Sequence, residues 1–411
     1  MLDWTPRRPR QYSLSRFISI FKPEGKQTVV VSHISRRRVF VDELDLALLR
    51  VIANDGILLT AEELSKRLSH TAHRVSLSEI SNRLEQLASS NILTSHAEDN
   101  SLWLSLESSC RPTPFIDFVE ITNMCPATCI MCRAGQGFME RPKGLMSMSL
   151  FERILTMIEP RLDSKPLILH NAGEPFLHPQ LASMVSLAAK GNVPTEISTN
   201  AGLLTLDGYQ KLCGAGIARI VIALDGTDVE TLSAIRGPGA CPQKAFVNID
   251  DILNYRATHQ STSPTIVIQM VKMRANAHQH KRFLERYGDL GLPGVSAFLK
   301  PVEAPSDSPL LMPGTRPPQH FCSAPWQTLG IYWDGNVIPC CYDLNASLCV
   351  GNVNHQTLTE IWEGDAIADL RERIKTNKCM PNDLCAICHN RPDRYQMPDL
   401  NAIPEVPDGW Y

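Results

Sequence analysis

The chain has 411 residues, enough for two or three domains, and its 43% hydrophobic and 20% charged residues are ordinary for a folded globular protein. A formal net charge of −3 excludes a global electrostatic argument for nucleic acid or an anionic membrane, and no apolar run approaches the ~20 residues of a membrane span. Thirteen cysteines without a secretory pattern point to a cytoplasmic, reducing setting and to metal ligation, and away from a disulfide framework.

Residues 1–110 read as a separate N-terminal domain. Alternation predicts short strands at 28–32 and 38–41. Leu44, Leu46, Leu48, Leu49, Val51 and Ile52 then mark an apolar helix that closes near Asn54-Asp55-Gly56. Thr60 and Glu63 form a capping box ahead of a second helix through Leu68, and Leu77, Ile80, Leu84 and Leu87 fall at the spacing of a third. Segments 92–94 and 102–104 are expected to pair as a small wing, which completes a winged-helix pattern. Nine Arg or Lys against two acids in residues 1–40 would suit nucleic acid. The third helix, which would enter a groove, offers few cations to neutralise phosphates, so nucleic acid is not expected as a partner.

From 111 to 302, strand and helix patterns alternate. Apolar strand-length runs lie at 115–121, 166–170, 195–198, 219–224, 265–271 and 295–300, and helical patterns at 150–158, 180–189, 206–213, 229–235, 245–255 and 278–287. Six βα units fit an α/β fold with a parallel sheet curled into a partial (β/α)6 TIM barrel, whose chemistry sits at the C-terminal strand ends. Directly after the first strand come Cys125, Cys129 and Cys132, a CxxxCxxC triplet that offers three thiolates and no fourth ligand. Structural zinc is normally closed by four protein ligands, whereas a 4Fe–4S cluster on three thiolates keeps one iron open. The plainer alternatives are buried cysteines, or zinc ligands with a distant fourth partner.

The triplet, its spacing and its place near the start of a βα array resemble the radical S-adenosylmethionine (SAM) superfamily. The resemblance implies that the open iron chelates the methionine end of SAM and that reductive cleavage gives a 5′-deoxyadenosyl radical. It also assigns roles downstream. In Asn171-Ala172-Gly173-Glu174-Pro175, Gly173 and Glu174 match the motif that receives the SAM ammonium, with Ala172 where a glycine is usual. Ser198 and Asn200 end the third strand in a turn that lies against SAM in the family. Asp225 closes the fourth strand in a run where Ala223 replaces the usual serine, and Arg236 matches the arginine that can hold the SAM carboxylate instead. Gln269 and Val271 on the fifth strand match positions beside the adenosine. Cys241, outside every ligand set, is a candidate hydrogen-atom donor, as in radical epimerases; a bystander thiol is the alternative.

Residues 303–321 form a proline-rich bridge. From 322 to 390, the run from Cys322 to Trp326, Gly335 followed by Cys340, and the pair Cys385 and Cys388 resemble a SPASM-type extension. Cys322, Cys340, Cys385 and Cys388 supply four thiolates for one closed auxiliary 4Fe–4S cluster, a four-cysteine zinc site being the alternative, and Cys341 and Cys379 are near enough to compete. The tail, 391–411, reads as irregular. The strand-then-three-helix layout ahead of such a core also resembles the leader-peptide recognition domain of enzymes that modify ribosomally made peptides.

The expectation is therefore a radical SAM enzyme with two 4Fe–4S clusters, fed by an electron donor such as flavodoxin or ferredoxin. Its substrate is expected to be a precursor peptide. The alternatives are a sugar- or aminoglycoside-type small molecule to be dehydrogenated or epimerised and, from another class, a metal-sensing DNA-binding regulator.

Overall fold

The structure is a computed structural model. It describes residues 11–14, 18–23, 27–32, 38–55, 59–68, 75–90, 92–94, 106–107, 110–160, 165–302, 308–312, 322–379, 384–388 and 405–406. These fall into two compact units, one drawn from 1–110, 319–326 and 387–411, the other from 111–318 and 327–386.

In the first unit, strands β1 (Gln11–Leu14), β2 (Ile18–Pro23), β3 (Thr28–Ser32) and β4 (Arg38–Val41) lead into α1 (Glu43–Asp55). Then come β5 (Leu59–Thr60), α2 (Ala61–Leu68), α3 (Leu77–Ser89) and β6 (Leu93–Thr94). Strands β2, β3 and β4 form an antiparallel meander with β4 at its edge, and a two-residue strand, Glu405–Val406, joins β2 from the far side. Polar caps start the helices: Asp42 Oδ1 accepts the Leu44 and Asp45 N–H groups, and Thr60 and Glu63 close their reciprocal box at 2.7 and 3.2 Å. Leu48, Leu49, Ile52, Leu64, Ile80 and Leu84 meet in one apolar core with Val30 and Val41. Segment 93–94 pairs with β1, Ser13 opposite Thr94, and the expected wing partner at 102–104 lies outside the described residues.

The second unit is a partial (β/α)6 barrel. Its strands are β7 (Phe115–Val119), β8 (Leu167–Ile168), β9 (Thr195–Thr199), β10 (Arg219–Ala223), β11 (Thr265–Lys272) and β12 (Val295–Pro301). They alternate with α4 (Met148–Thr156), α5 (Leu181–Lys190), α6 (Leu206–Ala215), α7 (Val229–Arg236), α8 (Pro242–His259) and α9 (His280–Tyr287). Pairing from β12 to β7 is parallel throughout, in the order β12-β11-β10-β9-β8-β7. The sheet then continues: β13 (Thr328–Ile331) adds parallel to β7, followed antiparallel by β14 (Asn336–Ile338) and β15 (Gly351–Asn352). Beta-branched residues dominate the central strands, and alternation sorts them. Ile197, Ile220, Ile222, Ile266 and Ile268 are buried on one face, while Glu196, Ser198, Arg219 and Gln269 occupy the other. Among the described residues no helix is long and apolar enough to cross a membrane.

Candidate functional site

The three clustered cysteines sit on a loop at the C-terminal end of β7, held by the end of a helix. A helix leaves its last carbonyls without intrahelical partners. Here the loop satisfies two of α7's: Thr128 N–H donates to the Arg236 carbonyl at 3.0 Å and Ile130 N–H to the Ile235 carbonyl at 2.9 Å. Cys125, Cys129 and Cys132 pack into one small cluster with Ala127, Ala240 and Met131. Gly239 lets the backbones come this close, since a β-carbon there would collide with the Pro126 carbonyl. Burial pushes the Cys125 thiol up to about 11, with Glu174 and the other two cysteines adding to it, and burial also raises Cys129 against the opposing charge of Arg236. Thiols in such a place lose their protons to a metal, not to water. Among the described residues no three His, Cys, Asp or Glu side chains converge to hold a single ion. A cubane does not require that convergence, because each thiolate caps a different iron, so the shared pocket fits a three-thiolate cluster.

Several of the predicted SAM residues contact this loop. Glu174 N–H donates to the Met124 carbonyl at 2.8 Å, which seats the turn against the start of the loop, and a β-carbon on Gly173 would strike the Thr122 carbonyl. The Glu174 carboxylate is buried and accepts N–H groups from Asn200 at 3.0 Å and Phe176 at 3.3 Å; burial raises its pKa, and the charge of Arg236 works in the other direction. Asn200 spends its own carbonyl oxygen on the Gly202 N–H at 2.9 Å, so it shapes the turn with its side chain and steadies Glu174 with its backbone. On the other side, Asp225 Oδ2 lies 2.5 Å from Arg236 Nη2, and its Oδ1 accepts the Val271 N–H at 2.7 Å. Arg236 Nη1 then points at Cys129 Sγ, 3.9 Å away, while its Nε is buried without an acceptor, a donor left for a carboxylate. Val271, like Ile130 and Met131 of the loop, packs against the buried cluster of Ile235, Met273, Val302 and Leu311. Gln269 lies two residues earlier, half-buried and in register with Ala223.

Ser198 is half-buried, and its N–H donates to His170 Nδ1 at 3.1 Å, which leaves the ring proton on Nε2. Burial pushes His170 down to about 4, helped by the charges of Lys165 and Lys300. The folded chain thus keeps this ring neutral where an unfolded chain takes up a proton near pH 6.5. Its stability contribution is full above that pH and is expected to fall by about 2–3 kcal/mol as pH drops toward 4. Unfolding followed at about pH 7 and about pH 5 should show this slope in the parent and a flatter one in His170→Gln.

Cys241 caps the start of α8 in a left-handed conformation, φ 49°, next to Ala240 of the cysteine cluster; its thiol contacts the Gly239 carbonyl at 3.8 Å. Cys340 and Cys385 belong to the second unit, Cys322 and Cys388 to the first, and all four are half-buried. Cys341 is exposed and Cys379 half-buried. Two residues in the site went unremarked in the sequence. Glu120, fully buried at the end of β7, is paired with Arg141 at 2.9 Å. A carboxylate ending the first strand run five residues before Cys125 was the available clue to Glu120; Arg141 had none.

A model of the radical SAM superfamily matches residues 119–270, and one of the SPASM iron–sulfur cluster-binding domain matches 322–389. The tungsten-containing aldehyde ferredoxin oxidoreductase cofactor-modifying protein of Pyrococcus furiosus is 23% identical over 293 residues, 60% of this chain and 80% of its own. The S-adenosyl-L-methionine-dependent 2-deoxy-scyllo-inosamine dehydrogenase of Niallia circulans is 22% identical over 275 residues, 66% of this chain and 91% of its own. Among solved structures, SuiB of Streptococcus suis bound to precursor peptide SuiA aligns with a TM-score of 0.49 at 14% identity, covering 88% of this chain and 90% of that one.

Proposed function

The chain belongs to the radical SAM superfamily and carries a SPASM domain, and from that premise we propose that it modifies a ribosomally made peptide whose leader is held by the N-terminal unit. It is an enzyme of oxidoreductase type that uses SAM and 4Fe–4S clusters, one of them auxiliary. The open cluster supplies, when bound, the electron that cleaves SAM to a hydrogen-abstracting 5′-deoxyadenosyl radical. Cys125, Cys129 and Cys132 would hold it. Gly173 and Glu174 receive the SAM ammonium, and Arg236, braced by Asp225, takes the carboxylate. The turn of Ser198 and Asn200 would lie against SAM, and Gln269 and Val271 would border its adenosine. Cys322, Cys340, Cys385 and Cys388 would hold the auxiliary cluster, and Cys241 is the candidate that returns a hydrogen atom to the substrate. Flavodoxin or ferredoxin would supply electrons.

The observation that carries the peptide reading is a groove of about 390 Å³ between β4 and α3, lined by Gln27, Phe40, Asp42, Asp45, Glu79 and Arg83 among others. Phe40 on the edge strand is 59% exposed, an aromatic platform beside a strand edge with no neighbour among the described residues, where an extended peptide can add as a further strand. Arg83 is engaged by Asp42 at 2.8 Å, Asp45 at 2.9 Å and Glu79 at 3.5 Å, so the groove is acidic. That charge speaks against α3 as a reader of phosphates and against the DNA-binding regulator. Titration of the full chain with candidate precursor peptides should give saturable binding that Phe40→Ala weakens about tenfold, with peptide-free SAM cleavage unchanged. Equal affinity in Phe40→Ala would remove the groove from the reading. A small-molecule substrate is the second reading, favoured by the dehydrogenase alignment over 91% of that relative's length; turnover of an aminocyclitol without any peptide would establish it.

A further inference from the structure

The Ala172–Glu174 turn is tied to the C-terminal module through one buried ion pair. Ala172 N–H donates to Glu120 Oε2 at 3.2 Å. Glu120 is gripped by Arg141 Nη2, at 2.9 and 3.1 Å to its two oxygens. The remaining contacts of Arg141 lie in the module: its Nε donates to the Leu344 carbonyl at 2.7 Å, and its guanidinium carbon stands 3.5 Å from the centroid of the Tyr332 ring. The Tyr332 hydroxyl donates to the Asp343 carbonyl, and the ring is fully buried.

The strap that carries Arg141 is held in the same way from both sides. Asn345 accepts the Glu140 N–H at 2.8 Å and donates to the Phe138 carbonyl at 3.1 Å; Trp333 Nε1 donates to the Pro142 carbonyl at 3.3 Å. From the barrel, Asn123 donates to the Pro142 carbonyl at 2.8 Å and accepts the Gly144 N–H at 2.9 Å. A buried pair of this kind adds little net stability, and its geometry is its strongest property. Here that geometry joins a backbone N–H of one loop to an aromatic ring of another element.

We propose that Glu120 and Arg141 are positioning residues through which the C-terminal module sets the Ala172–Glu174 turn and, with it, the affinity for SAM. The SAM half of this statement rests on the role given above to Glu174; the positional half does not. Hydrogen exchange of the full, unloaded chain tests the position directly. Tyr332→Leu removes the ring beneath Arg141 and is expected to raise exchange across residues 170–178 about tenfold, while Tyr332→Phe, which keeps the ring, leaves it at the parent rate. In the reconstituted protein the same pair should show SAM affinity about tenfold weaker and unchanged, respectively.

Removing one charge of the pair could unfold the chain, so the third variant removes both, Glu120→Gln with Arg141→Met. In that background Tyr332→Leu should add nothing further at 170–178. Unchanged exchange there in Tyr332→Leu, or a full additional effect in the double background, overturns the proposal. Raised exchange with unaltered SAM affinity upholds the coupling and removes Glu174 from the SAM site.

Discussion

Replacing Cys129 by alanine is expected to abolish reductant-dependent release of 5′-deoxyadenosine from SAM, while Cys385→Ala retains part of it. Cys129 is the most buried of the triplet and the one beside Arg236. Two remaining thiolates cannot hold a cubane with a single open corner, so the loss falls on the site that binds SAM. Cys385 lies in the SPASM module, where a closed cluster has no position for SAM. Iron analysis after anaerobic reconstitution should give about eight irons per parent chain and about four in Cys129→Ala. Equal loss of cleavage in both variants would mean that the auxiliary site holds the fold together. No cleavage by the parent would contradict the catalytic assignment altogether.

Asp225→Ala is expected to cost about 3–5 kcal/mol of stability, the range for removing one partner of a buried pair. Asp225 is fully buried, and it alone meets Arg236 at ion-pair distance among the described residues. Its loss leaves a guanidinium in the interior with a neutral thiol beside it, and it strands the Val271 N–H as well. Urea unfolding should show the lowered midpoint. Asp225→Asn keeps an acceptor for Val271 and should fall between the two. A double variant, Asp225→Ala with Arg236→Met, removes both charges and should recover much of the stability without recovering SAM affinity. Recovery of both would take Arg236 out of the SAM site.

The barrel was legible because its chemistry is local. Runs such as Arg219–Leu224 are apolar and β-branched over a strand's length, and the triplet follows the first strand in sequence as it does in space. The capping box at Thr60 and Glu63 was readable for the same reason. What was not readable depends on partners far apart in the chain. Segment 93–94 carries no mark that its neighbour is β1, some 80 residues upstream. Arg141 lies in an exposed-looking polar strap, and only folding brings Glu120, 21 residues before it, and Leu344, 203 residues after it, to one guanidinium. Within the site, the side chain of Asn200 closes its own turn and its backbone N–H donates to Glu174, contacts that the motif itself does not show.

Strand β13 limits how this protein can be cut and recombined. β13 belongs to the SPASM module by sequence, yet it completes the barrel sheet by lying parallel to β7. A chain ended after residue 302 would leave β7 as a bare edge, a row of unpaired N–H and C=O groups open to any other strand in solution. Such a truncation should be recovered as aggregate and not as a smaller working enzyme. In lineages that exchange the module, barrel and extension would have to be inherited as one piece, or the incoming segment would have to bring a strand in register with Phe115–Val119.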